Sequence, residues 1–145
     1  FLARLFQPKI DKILFAATKA DLLTPEQHRN LILLLQQMLQ QPLQDSRYQR
    51  AKTEALALSS VVTSEFGVVE TAQGRQSCIR GTDKNGQLRT LFPGDVPISM
   101  PTELLFTHHQ FAFPQFVPQG LAADGLLPSQ RMDQALEFIL GDALQ

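Results

Sequence analysis

Between Lys12 and Ser64 two apolar runs flank a strongly signalled helix, and that order leaves few folds open. Lys12 to Ala17, KILFAA, is a short run without polar alternation, as expected for a strand buried on both faces. Thr24-Pro25-Glu26-Gln27 follows. It offers a threonine cap, proline at the first helical position, and a glutamine three residues after the cap that can reach back to the cap's own amide. His28, Leu31, Ile32, Leu35, Met38 and Leu39 then share one helical face, with His28 and Met38 at the edge of the core, and Pro42 marks the end. A second strand is read in EALALSSVVTS, Glu54 to Ser64. Strand, helix and strand in this order predict a right-handed βαβ crossover whose two strands are parallel and near neighbours in one sheet.

Past Glu65 the pattern changes. FGVVE, RQSCIR and QLRTLF are separated by TAQG and by GTDKNG, whose Asn85-Gly86 suits a tight hairpin turn, so an antiparallel meander of three short strands is expected. Pro93 to Pro128 holds six of the nine prolines. This density predicts an irregular segment wrapped over the surface and anchored by Phe106, Phe111, Phe113 and Phe116. Ser129 caps a last helix with Met132, Ala135, Leu136, Ile139 and Leu140 on one face, and Gly141 closes it. Leu2, Leu5 and Phe6 suggest a helix ended by Pro8, and residues 45–52 a short helix or loop. The chain thus reads as one α/β domain or part of one: a βαβ unit over 1–64, meander and proline-rich wrap over 65–128, and a C-terminal helix over 129–145.

Composition narrows the function. Residues 1–54 carry eight Lys/Arg against five Asp/Glu and the remainder five against nine, giving +3 and -4 and a net charge of -1. The small basic excess is scattered, so a DNA or RNA partner is not expected. The single cysteine, Cys78, rules out an internal disulfide and a multi-cysteine zinc site and fits a reducing cytoplasm. No apolar run approaches the roughly 20 residues that span a bilayer and no signal-peptide pattern opens the sequence, so a soluble chain is expected. It opens on Phe1 inside the helix-like FLARLF, which suggests the C-terminal portion of a longer protein.

The chemistry concentrates after the first strand. In an open parallel sheet, ligands bind beyond the carboxyl ends of the strands, and Thr18-Lys19-Ala20-Asp21 lies at such an end. Its spacing is that of the guanine-specificity motif of P-loop GTPases, N/T-K-x-D. Asp21 can accept hydrogen bonds from guanine's ring N–H and exocyclic amine, while Lys19 lays its aliphatic stem over the purine plane and Thr18 supports the loop. Adenine lacks that amine and turns a ring acceptor toward the carboxylate, so a site of this kind can reject it by a factor on the order of 10⁴. Ser59-Ser60-Val61 follows LAL where GTPases usually carry a serine-alanine turn whose backbone amides meet the guanine carbonyl.

Taken together, IDKILFAATKAD, the helix after it, LALSSVVTS, FPGDVP and RMDQALEFILGD resemble the C-terminal part of the YcjX family, bacterial P-loop NTPases associated with stress responses. The resemblance covers nearly the whole chain. It implies a P-loop NTPase-like parallel sheet, GTP and GDP binding, and GTPase activity in the intact protein, with the phosphate-binding loop and the magnesium ligands upstream of Phe1. No G-x-x-x-x-G-K-[ST] occurs in the chain, so it is not expected to hydrolyse GTP alone, and no catalytic or metal-binding residue is assigned. Thr18, Lys19, Asp21, Ser59, Ser60 and Val61 are the expected nucleotide-binding residues, and the upstream part of the same protein is the expected partner.

Other constellations are poorer. Adjacent His108 and His109 point to opposite sides of an extended segment and are unsuited to one metal. Asp95 is explained as a turn carboxylate that accepts backbone amides. Ser59 and Ser60 lack histidine and acid partners for hydrolase chemistry. The competing function is a non-catalytic interaction module, in which the meander and wrap dock an unknown protein and T-K-A-D is only a turn. An ATP-binding variant of the fold is opposed by Asp21.

Overall fold

The computed structural model describes residues 10–44, 50–100, 113–120 and 125–143. The helix expected near Leu2, the stretch 45–49, Phe106, Phe111, His108 and His109 lie outside the described residues.

The βαβ expectation holds in order and direction. Strand β1 (Lys12–Ala17), helix α1 (Pro25–Leu39) and strand β2 (Lys52–Ala57) follow one another, and β1 pairs parallel with β2 in a register running from Lys12 opposite Lys52 to Ala17 opposite Ala57. Burial does not match KILFAA as read from sequence. β1 is half-buried with Ala16 exposed, because its described sheet has one other strand. β2 stops well before Ser64. Beyond Leu58, whose amide still bonds Ala17 O, Ser59 exchanges two backbone hydrogen bonds with Gln130 (3.0 and 2.8 Å) and Val62 N donates to Pro128 O (2.8 Å). These partners draw the chain out of the ladder into a loop.

Helix α1 starts at Pro25 as predicted, but the reciprocal cap is not made. Thr24 is buried in extended geometry without a side-chain cap bond. The Gln27 amide turns outward instead: its Nε2 donates to Asp95 Oδ1 (2.8 Å) and its Oε1 accepts from Val96 N (2.7 Å). Gln37 repeats the device, donating to Ile98 O (2.8 Å) and accepting from Met100 N (3.1 Å). Two glutamines thus hold the segment 95–100 along the helix. Asp95 receives a side-chain amide, not the backbone amides expected of a turn carboxylate. On the expected inner face His28 is fully buried and Met38 is exposed.

Strands β3 (Glu65–Thr71), β4 (Gly74–Thr82) and β5 (Leu88–Leu91) form the antiparallel meander. The first turn uses Gly74 at φ 111°, with Thr71 Oγ1 accepting from Gln73 N (3.2 Å). The second is wider than an Asn-Gly pair. Gly86 takes φ 78° and Asn85 stays out of the left-handed region, while Gly86 N bonds Asp83 O (3.0 Å) and Asp83 N bonds Gln87 O (2.9 Å). The amides of Gln87 and Asn85 and the Arg89 guanidinium hold the Asp83 carboxyl below its usual range, Gln87 contributing most.

Helix α2 (Met132–Leu140) is preceded by Arg131 in the left-handed region at φ 57°, not by a capping Ser129. It buries Ala135 and Phe138 while Leu136, Ile139 and Leu140 are exposed, so the inward stripe is rotated from the expected one. Gly141 is right-handed and leads into a 3₁₀ turn, Gly141–Ala143. Leu56, Leu58 and Ala135 form a buried cluster with Leu14 and Met132 against it. Burial of this kind contributes about 25 cal/mol per Å² of apolar surface and fixes α2 on the β1–β2 sheet. Lys12 adds a tie, donating to Phe138 O (2.9 Å) and pairing with Asp142 (2.6 Å).

Candidate functional site

Immediately past β1 the chain makes a sharp departure at Lys19, which sits at φ 59°, ψ 37°, a region that residues with a Cβ enter at some cost. The turn drops Ala20–Leu22 into a single buried 3₁₀ turn. Ala20 N donates to Leu58 O (3.1 Å), and His28 Nε2 lies 2.8 Å from Ala20 O, so that nitrogen carries the proton. His28 is 4% exposed, and its Nδ1 has no partner among the described residues. Helical spacing put it on the inner face of α1, but its bond to Ala20 comes from the docking of α1 against the loop.

Asp21 is 8% exposed and bracketed by the loop after β2. Ser59 Oγ donates to Asp21 Oδ1 (2.5 Å) and accepts from Asp21 N (3.1 Å). Thr63 donates twice to Oδ2, from its amide and its hydroxyl, both at 2.8 Å. The Ser64 hydroxyl donates to Asp21 O. A carboxylate held this way is fixed in direction before any ligand arrives. At the start of α1, Glu26 is held below its usual range, chiefly by its own backbone amide and then by the Thr24 hydroxyl, with Ser77 adding to the effect.

A cavity of about 540 Å³ opens over this arrangement, and its wall includes Thr18, Lys19, Asp21, Ser59, Ser60 and Val61. All six residues picked from the sequence therefore face one space. Thr18 and Lys19 are exposed, whereas Ser59 is 2% exposed, with its hydroxyl on Asp21 and its amide on Gln130. Ser59 thus braces the loop and has no amide to offer a base. Among the described residues, the amides of Ser60 and Val61 make no hydrogen bond. Pro114, Phe116, Pro118 and Thr63 also line the cavity. Phe116 does anchor its segment, as expected. Asp83 and Phe116 form an isolated bridge, and a Cβ on Gly81 would lie 2.4 Å from the Phe116 ring. Phe113 is exposed.

Residues 1–144 match the YcjX-like family, DUF463. The chain belongs to this family. The YcjX-like chain is 39% identical over 143 residues to the protein named Ras-like GTPase YcjX of Escherichia coli (strain K12), covering 98% of this chain and 31% of that protein. It is 34% identical over 151 residues to the Ras-like GTPase YcjX of Shewanella oneidensis, covering 100% and 31% respectively. The YcjX-like chain thus spans about a third of the length of these curated relatives. Among its described residues no helix is long and apolar enough to cross a membrane, and no group of three or more His, Cys, Asp and Glu side chains is placed to hold a metal.

Proposed function

We propose that this chain is the guanine-base-binding portion of a cytoplasmic P-loop GTPase that binds GTP and GDP and hydrolyses GTP when intact. Residues 1–64 contain its nucleotide-binding βαβ unit, continuous with a larger parallel sheet supplied by the rest of the protein. The observation that carries this reading is the single cavity onto which Thr18, Lys19, Asp21, Ser60 and Val61 converge. Its donors and acceptors fit guanine in a definite sense. Asp21 faces the ring N–H and amine, the amides of Ser60 and Val61 face the carbonyl, and the Lys19 stem covers the ring. Ser59 orients Asp21. Phosphate binding and magnesium, which screens phosphate charge in such enzymes, belong to residues outside this chain, since it carries no P-loop sequence. The names of the relatives, Ras-like GTPase YcjX, support the same reading.

The test is a titration of the intact protein with GDP and ADP, which is expected to show a strong preference for GDP. Asp21→Ala removes it by stranding the base's donors, at about 1–3 kcal/mol for each charged hydrogen bond lost. Equal GDP affinity in the wild type and the variant would defeat the assignment.

A further inference from the structure

The carboxylate assigned to the base is already engaged by the chain's own donors. Asp21 Oδ1 accepts from Ser59 Oγ, and Oδ2 accepts from both the amide and the hydroxyl of Thr63. A carboxylate offers about four lone-pair positions, two on each oxygen. The three bonds leave one position, on Oδ1, whereas guanine brings two donors to this edge. One of them must meet an oxygen that is full.

The three incumbent bonds differ in how readily they yield. Ser59 is almost wholly buried, and its hydroxyl is also the acceptor for Asp21 N, so turning it away would strand two buried polar groups. The Thr63 amide is fixed by a backbone held nearby, where Val62 N bonds Pro128 O and Gln119 N bonds Val62 O. The Thr63 hydroxyl has neither restraint. It is half-buried, Thr63 lines the same cavity, and rotation about one C–O bond releases its proton from Oδ2.

We propose that Thr63 is a specificity-determining residue of the base pocket: its hydroxyl holds Asp21 Oδ2 in the empty site and gives up that bond to the exocyclic amine of guanine. The proposal rests on the guanine reading above and adds a competitor to it. The net contribution of the amine is its bond to Oδ2 less the bond it displaces. A purine with the ring N–H but no amine, hypoxanthine, needs only the open position on Oδ1 and leaves Thr63 undisturbed.

The experiment compares GDP, IDP and ADP binding to the intact protein by calorimetric titration. GDP and IDP differ only in the amine, so everything the phosphates and ribose contribute cancels in their ratio. Thr63→Val deletes the hydroxyl and keeps the amide and nearly the same shape. It is expected to raise the GDP-over-IDP preference by about 3- to 10-fold, through GDP alone. Thr63→Ala is expected to show the same rise, and Thr63→Ser, which keeps the hydroxyl, the wild-type ratio. An unchanged or lowered ratio in both Val and Ala variants overturns the proposal, including a parallel loss for both nucleotides, the signature of a hydroxyl that merely supports the loop. A wild type that binds ADP as well as GDP removes the guanine reading itself and this proposal with it, and is recognisable as that separate failure.

Discussion

At the residue scale, Asp21 stands at the carboxyl end of β1, where the T-K-x-D spacing puts it, and its neighbours fix its direction. Thr63 N can only donate, so an Asn at position 21 must turn its oxygen toward Thr63 and its NH₂ toward Ser59, whose hydroxyl can accept. The amide nitrogen then occupies the place of Oδ1, with a hydrogen left for a ligand. Asp21→Asn is therefore expected to weaken GDP binding by about 10-fold or more, because guanine's ring N–H then meets a donor at the place of Oδ1, with no gain for xanthine nucleotides, whose carbonyl would meet the Asn oxygen at the place of Oδ2. Titration of the variant with GDP and xanthosine diphosphate checks this; a gain for xanthosine diphosphate would show that the Asn amide sits the other way round. The T-K-x-D spacing and the position of Ser59 were legible in the sequence. The role of Thr63 and the bond made by His28 were not, since no short pattern contains a bond from Thr63 to a carboxylate 42 residues earlier, or one from a histidine ring to Ala20 O.

At the scale of elements, the meander and the cavity meet through residues 116 and 117. Gly81 in β4 leaves room for the Phe116 ring, while Val117 N bonds Thr82 O (2.8 Å), so the segment that walls the cavity hangs on the β4–β5 hairpin. Gly81→Ala puts a methyl carbon 2.4 Å from that ring and must displace it. The expected result is a loss of about 1–3 kcal/mol of stability from overpacking, together with weakened GDP binding although Asp21 is untouched. Thermal melting and GDP titration of the intact variant test both parts; unaltered GDP affinity with a displaced ring would show that Phe116 does not shape the base site. The elements themselves were readable because their patterns are local: an unalternating strand, proline at the first helical turn, glycines at the reversals. Caps and helix faces were less so. Gln27 chose Asp95 and Val96 over its own cap, and α2 turned Phe138 inward, choices that depend on what lies across the fold.

For the molecule as a whole, the exposed apolar face of α2 (Leu136, Ile139, Leu140) and the half-buried β1 bear on how this chain, about a third of the length of its curated relatives, behaves alone. A recombinant polypeptide of residues 1–145 is expected to bind GDP weakly, keeping base contacts without phosphate contacts, and to self-associate through such surfaces. Light scattering and calorimetry measure both. A monodisperse monomer that hydrolyses GTP unaided would contradict the division of labour proposed here.

By itself, the sequence determined the order and direction of the βαβ unit, the three-stranded meander, the T-K-A-D loop at a strand's carboxyl end and the family. Each is set by neighbours close in the chain: periodicity, turn residues and motif spacing. Only the tertiary structure decided that the chain after Ala57 leaves the sheet to bracket Asp21, that Ser59 is a brace with no amide to spare, and that Phe116 lines the same cavity as the T-K-A-D loop. Those outcomes depend on which distant polar groups find partners once the helices and sheets have packed, because a buried donor or acceptor takes the partner that packing brings to it.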